Sequence, residues 1–187
     1  LVALHGQFNL LATSLYKMAN DIRLMNSGPR CGLAEIRIPA NEPGSSIMPG
    51  KVNPTQVEAL CMVCLRVMGN HVSVTMAGSQ GQFELNVCKP LLIHAFMESA
   101  RLLADAMVSF DRNCLAGITA NDGQLDYYTS RSLMLVTALS PYLGYEKAAK
   151  AAHHAAEKNL TLKEAVVELN LLTEKESSFL VRKESKQ

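Results

Sequence analysis

Seven apolar residues, Leu4, Phe8, Leu11, Leu15, Met18, Ile22 and Met25, follow one another at alternating spacings of four and three. That 3.5-residue repeat keeps one stripe of a long helix facing a partner helix, so it demands a bundle or coiled coil. Asn26, Ser27, Gly28 and Pro29 end the helix, because Gly and Pro cannot prolong it cheaply. A second seam passes through Leu60, Cys64, Val67, His71 and Val74 and stops at Gly78 to Gly81. A third helix is predicted over residues 83–110, with Leu92, Phe96, Leu103, Met107 and Phe110 on one side and a bend at Pro90. Three long helices of this kind make the chain all-α: a long-helix bundle over residues 1–116, followed by a small helical domain over 117–187.

The second part is read as shorter helices over about 124–139, 145–158 and 162–169, with a last one after Thr173. Thr161 with Glu164, and Thr173 with Glu176, have the spacing of capping boxes. The polar stretch from Gly117 to Gly123 is the natural boundary between the two parts. The Lys/Glu-rich tail from Lys175 reads as a solvated face.

Composition removes several classes of function. Hydrophobic residues make up 48% and charged residues 19%, a globular balance that argues against disorder. The net charge of +1 comes with no basic block, so nucleic acid is not an expected partner. No apolar run approaches the ~18 residues of a membrane span, so no membrane is expected either. Five scattered cysteines suit a reducing, cytoplasm-like compartment. The chain opens on Leu1 inside a helical pattern with no visible leader, which reads as a piece whose N-terminal part is missing.

Chemistry concentrates between the first two helices. Residues 30–52 form a connection longer than compact domains normally carry, and such loops tend to be functional. Its end, from Gly44-Ser45-Ser46 through Gly50-Lys51 to Asn53-Pro54, runs into the second helix, with Asn53 as N-cap and Pro54 as first helical residue. A serine is a weak base unless its oxyanion is stabilised, and N–H groups of a glycine turn can do that. Lys51 and the helix N-terminus favour anions, and Asn53 can donate to a carboxylate. The ensemble suits a small polyanion beside a poised serine. It is not a nucleotide P-loop: five residues separate Gly44 from Gly50, and Val52 stands where a magnesium-binding Ser or Thr is required.

The stretch from Gly44 to Pro54 resembles the signature loop of the aspartase/fumarase superfamily, of general form GSSxMPxKxN. Thr55-Gln56-Val57-Glu58-Ala59, Phe83-Glu84-Leu85-Asn86-Val87 and Ser132-Leu133-Met134-Leu135-Val136-Thr137-Ala138-Leu139 with Gly144-Tyr145 resemble its class II fumarase branch. The resemblance implies a hydro-lyase that interconverts fumarate and (S)-malate without metal or other cofactor. It implies Ser45 as the base for the C3 proton, Lys51 and Asn53 as ligands of the substrate carboxylate and the aci-carboxylate intermediate, and Ser46 as a further substrate-binding residue. Glu58 is implied as the acidic half of a Glu–His pair whose histidine lies outside this chain. It further implies a homotetramer whose active sites draw on three subunits, in bacterial cytoplasm or mitochondrial matrix, and an isolated chain without activity. An aspartate ammonia-lyase, which the same loop could serve, and a non-catalytic helical oligomerisation module are the alternatives.

Other candidates read as packing. Cys61 and Cys64 are spaced C-x-x-C on an apolar helix face, without the partners a zinc site needs. Cys31, Cys88 and Cys114 stand alone. His71 falls on a seam and is expected to be a hydrogen-bonded core residue. His153 and His154 are expected at the surface, and His5 and His94 show no partner in sequence.

Overall fold

A computed structural model describes residues 1–42, 44, 47–174 and 176. Among these the fold is all-α with one minor two-stranded sheet, and it divides into two units, Leu1–Asn121 and Asp122–Gln187. The last expected helix and the tail from Lys175 lie almost wholly outside the described residues. Only the N-terminal box of that helix is seen: the Thr173 N–H donates to Glu176 at 2.8 Å, and the Glu176 N–H donates back to Thr173 Oγ1 at 3.4 Å.

Three long helices build the first unit: α1 (Val2–Met25), α2 (Thr55–Gly78) and α3 (Lys89–Asn113). On α1 the buried stripe is His5, Ala12, Ala19 and Ile22, with Phe8 and Leu15 packed beside it. The stripe is therefore rotated from the expected seam. Leu4, Leu11 and Met18 remain exposed, while Ala12 and Ala19, with no side chain beyond Cβ, let the neighbouring helix approach closely. On α2, Val57, Leu60, Cys61, Cys64, Val67, Asn70, Val74 and Ala77 are buried. Leu92, Ala95, Ser99, Leu103 and Phe110 face them from α3. Met107, expected on this inner side, is exposed instead. Leu60, Leu103, Val57 and Val67 are fully enclosed, each contributing roughly 1.5–3 kcal/mol by leaving water.

Two helix starts differ from expectation. Pro54 is the N-cap of α2 and the helix begins at Thr55, with no side-chain cap from Asn53. Pro90 sits in the first turn of α3, where its missing N–H is no loss, so it bends nothing. Residues 83–88 precede the helix as a turn, with Phe83 at φ +49° and the Gln82 and Leu85 backbones paired.

α2 is also long and apolar enough to cross a membrane by length and composition, contrary to the sequence expectation. Its buried stripe lies in the bundle core and includes the polar Asn70, while Glu58, Arg66 and His71 lie outside that stripe, as suits a core helix.

Beyond α3, a 3-10 turn (Leu115–Gly117) leads to β2 (Thr119–Ala120), which pairs antiparallel with β1 (Ile36–Arg37) through Ile36↔Ala120 and Arg37↔Thr119. The second unit comprises α4 (Asp122–Arg131), a 3-10 turn (Leu133–Leu135), α5 (Val136–Leu143), α6 (Tyr145–Lys158) and α7 (Leu162–Glu168). The helix expected over 124–139 is thus two helices with a turn between them. α6 buries Ala148, Ala151 and Ala155 and ends on Asn159 in the left-handed conformation. The Thr161–Glu164 capping box opens α7. His154 is only partly exposed, not a free surface residue, and its Nε2 lies 3.4 Å from Glu168 Oε2.

Candidate functional site

The connection between α1 and α2 is fastened along its first half. The Ala34 N–H donates to Ser27 O at 2.7 Å and the Glu35 N–H to Met25 O at 2.8 Å. Asn26 Oδ1 accepts the Ile38 N–H at 3.2 Å. Asn121 Nδ2 donates to Ala34 O at 2.7 Å. Pro39 lies so close to Gly117 that a Cβ there would meet Pro39 Cγ at 2.3 Å, and Asn41 Nδ2 donates to Asn113 O at 2.9 Å.

The loop beyond Asn41 is drawn together at its neck. A Cβ on Gly44 would stand 1.6 Å from the Lys51 carbonyl oxygen, so only glycine allows the two backbones to touch. The Lys51 N–H donates to Met48 O at 3.1 Å. Lys51 and Arg37 share the wall of a cleft of about 740 Å³, whose lining also includes Gly28, Ile38, Gly50 and Asn121. Arg37 Nη2 is held by Asn121 Oδ1 at 3.2 Å. Two cations on one wall would attract an anion.

The predicted site residues fall as follows. Lys51 is exposed on the cleft wall. Asn53 is half-buried where the loop meets α2. Glu58 stands in the first helical turn, where the helix dipole favours a carboxylate, and its Oε1 pairs with Arg23 Nη2 of α1 at 3.4 Å. Ser45 and Ser46 lie outside the described residues.

Sequence reasoning missed Arg23 and His5. Arg23 ends α1 and could be found only by knowing which helix faces Glu58. His5 is fully buried, bonded to Ser99 Oγ through Nε2 at 2.9 Å and to His71 at 3.3 Å. It has partners after all. Its seven-residue spacing to Ala12, repeated from Ala12 to Ala19, was the available signal. His71 is a hydrogen-bonded histidine as expected, though half-buried. Asn70 Nδ2 links the same cluster outward, donating to Ser99 Oγ at 3.0 Å and Glu98 Oε2 at 2.7 Å. That bond, with Arg66 beside it, holds the Glu98 carboxyl below its usual range.

Cys61, Cys64 and Cys114 are buried and reduced. Burial pushes the Cys64 thiol up to about 11 and raises Cys61 and Cys114, so these are packing residues and poor nucleophiles.

Comparison with known proteins agrees with this architecture. Residues 1–69 match a family model described as Lyase, and residues 135–185 one described as Fumarase C C-terminus. The chain is 56% identical to a mitochondrial fumarate hydratase of Rhizopus oryzae and 59% identical to a class II fumarate hydratase of Thermosynechococcus vestitus. Each alignment takes in 98% of this chain but only 37% and 39% of the relative. A class II fumarase structure from Schistosoma mansoni superposes with a TM-score of 0.88 at 49% identity, over 96% of this chain and 38% of that one. A fumarate lyase:delta crystallin from Brucella melitensis gives 0.91 at 41% identity, over 97% and 39%.

Long-helix bundle, glycine-necked loop and matched family models together group this chain with the aspartase/fumarase superfamily. Within it the chain belongs with the class II fumarases and corresponds to the C-terminal portion of that family's sequence.

Proposed function

We propose that the protein containing this segment is a fumarate hydratase of the tricarboxylic acid cycle, catalysing the reversible anti addition of water to fumarate to give (S)-malate. The observation that carries this reading is the 56–59% identity to fumarate hydratases along almost the whole chain, signature loop included. Residues 1–121 act as the C-terminal part of the central bundle domain, and residues 122–187 as the small C-terminal domain.

In this reading Ser45 removes the C3 proton of malate. Lys51 and Asn53, with Ser46, bind the substrate carboxylate and stabilise the negative charge that gathers on it as the proton leaves. Glu58 serves the proton relay at the C2 hydroxyl with a histidine contributed from outside this chain. No metal or cofactor is invoked. The exposed stripe Leu4, Leu11 and Met18, with Met62, Leu65, Val72 and Met76 on α2, supports burial against further helices in a homotetramer. The compartment follows the relatives: bacterial cytoplasm or mitochondrial matrix.

The test is the full-length protein with malate, fumarate and aspartate as substrates. Malate and fumarate should turn over and aspartate should not. Ser45→Ala should abolish the reaction while leaving the oligomer intact. Aspartate turnover would favour an ammonia-lyase. Full activity in the Ser45→Ala variant would remove the proposed base. Residues 1–187 alone should be inactive, since this reading draws the site from several subunits.

A further inference from the structure

Arg23 and Glu58 occupy complementary helix ends. Arg23 lies in the last turn of α1, where a cation is favoured, and Glu58 in the first turn of α2, where a carboxylate is favoured. Their contact repeats one turn further in. Asn20 Nδ2 approaches Cys61 Sγ at 3.7 Å while also donating to Tyr16 O at 2.8 Å. Asn20 and Arg23 are three apart on α1, and Glu58 and Cys61 are three apart on α2. Each pair therefore forms one helix face, and the two faces are in register. The inner contact is anchored by Cys61, which is only 8% exposed. The ion pair at 3.4 Å thus lies at the solvent-facing edge of two packed helices, its Arg23 and Glu58 side chains 53% and 40% accessible.

We propose that Arg23 is a positioning residue for the reaction: it fixes the ionised Glu58 carboxylate from the α1 side, so that Glu58 presents one geometry to the substrate relay. This rests on the fumarate hydratase reading above. Glu58 is partly exposed, with 40% of its side chain accessible, and without a partner it could turn away from the site. A guanidinium held by a neighbouring helix supplies orientation as well as charge.

The experiment uses the full-length protein with Arg23→Gln, Arg23→Lys, Glu58→Gln and the Arg23→Gln/Glu58→Gln double variant. Oligomer size and melting temperature are checked for each. Arg23→Gln should lower kcat roughly tenfold with KM within about twofold. Arg23→Lys should restore part of the rate. In the Glu58→Gln background Arg23→Gln should have no further effect. No rescue by Arg23→Lys, or the same loss with and without Glu58, would overturn the positioning role. Ser45→Ala separates the two levels. If it is inactive while Arg23→Gln is normal, the positioning inference alone fails. If it is fully active, or the wild-type protein ignores fumarate and malate, the functional reading fails and takes this inference with it.

Discussion

The imidazoles of His5 and His71 stack with centroids 5.3 Å apart and planes 10° from parallel, and their Nδ1 atoms meet at 3.3 Å. Such a contact needs one nitrogen to donate and the other to accept. Phe8 and Phe96 flank His5 edge-on, Ser99 takes its Nε2, and Glu98 and Arg66 lie behind Asn70. Burial and the neighbouring His71 lower the affinity of His5 for a proton.

The unfolded chain takes up a proton at this position near the ordinary value of about 6.5, whereas the folded chain does so only at lower pH. Below that ordinary value the unfolded state binds more protons, so stability falls with pH until folded His5 protonates as well. Melting temperature should therefore drop between about pH 7.5 and about pH 5.5. A His5→Gln variant, which has no titrating ring, should show a flatter profile over that range.

Gly44→Ala places a methyl group 1.6 Å from the Lys51 carbonyl oxygen. The neck of the loop must open, carrying Lys51 and Asn53 away from their places. Activity of the full-length protein should fall by on the order of 10²-fold. Melting temperature should change little, because Gly44 and Lys51 are exposed. Parallel kinetics and calorimetry on the one variant check both halves.

Leu103→Ala empties a site that is 2% exposed in the bundle core. The expected loss is about 2–5 kcal/mol in urea unfolding. Met62→Ala, on the exposed face of α2, should cost far less in a dissociated subunit.

Thr161→Ala removes the N-cap of α7, whose Oγ1 accepts the Glu164 N–H at 3.2 Å. A loss of about 1 kcal/mol is expected, measurable by thermal unfolding of the purified protein. The Glu164 carboxyl, held below its usual range by the Thr161 N–H and hydroxyl, should titrate higher in the variant.

What could be read from the sequence was local. The end of α1 at Asn26, both ends of α6 and the Thr161 box are set by residues within a turn of them. The loop announced itself by its density of Gly and Pro, and three of its assigned residues, Lys51, Asn53 and Glu58, lie where loop and helix meet. What could not be read depends on distant chain. Of the β1–β2 pair, an extended piece around residues 36–38 is legible in the sequence, but the two-residue β2 and the pairing itself are not. The α1 stripe is set by Ala12 and Ala19, small residues that a search for large apolar side chains passes over. Pro90 looks the same in sequence whether it bends a helix or starts one. Arg23 gains meaning only once α1 lies against α2.

The hydrogen bond from Asn41 to the carbonyl of Asn113 divides one long excursion into two. Chain from Asn26 to Pro39 is already fastened by the contacts at Ala34, Glu35 and Ile38 and by the β1–β2 pair, and Asn41 is the last such point before the loop. With Asn41 tied to the end of α3, only the stretch from Asn41 to Thr55 must find its geometry unaided. Closure entropy grows slowly with length, about 0.6 kcal/mol per doubling, so the saving in stability is small. The larger consequence is mechanical: a displacement of the α3 terminus is passed through Asn41 to the chain that leads into Gly44. The helix that contributes none of the assigned site residues thereby sets where the signature loop begins.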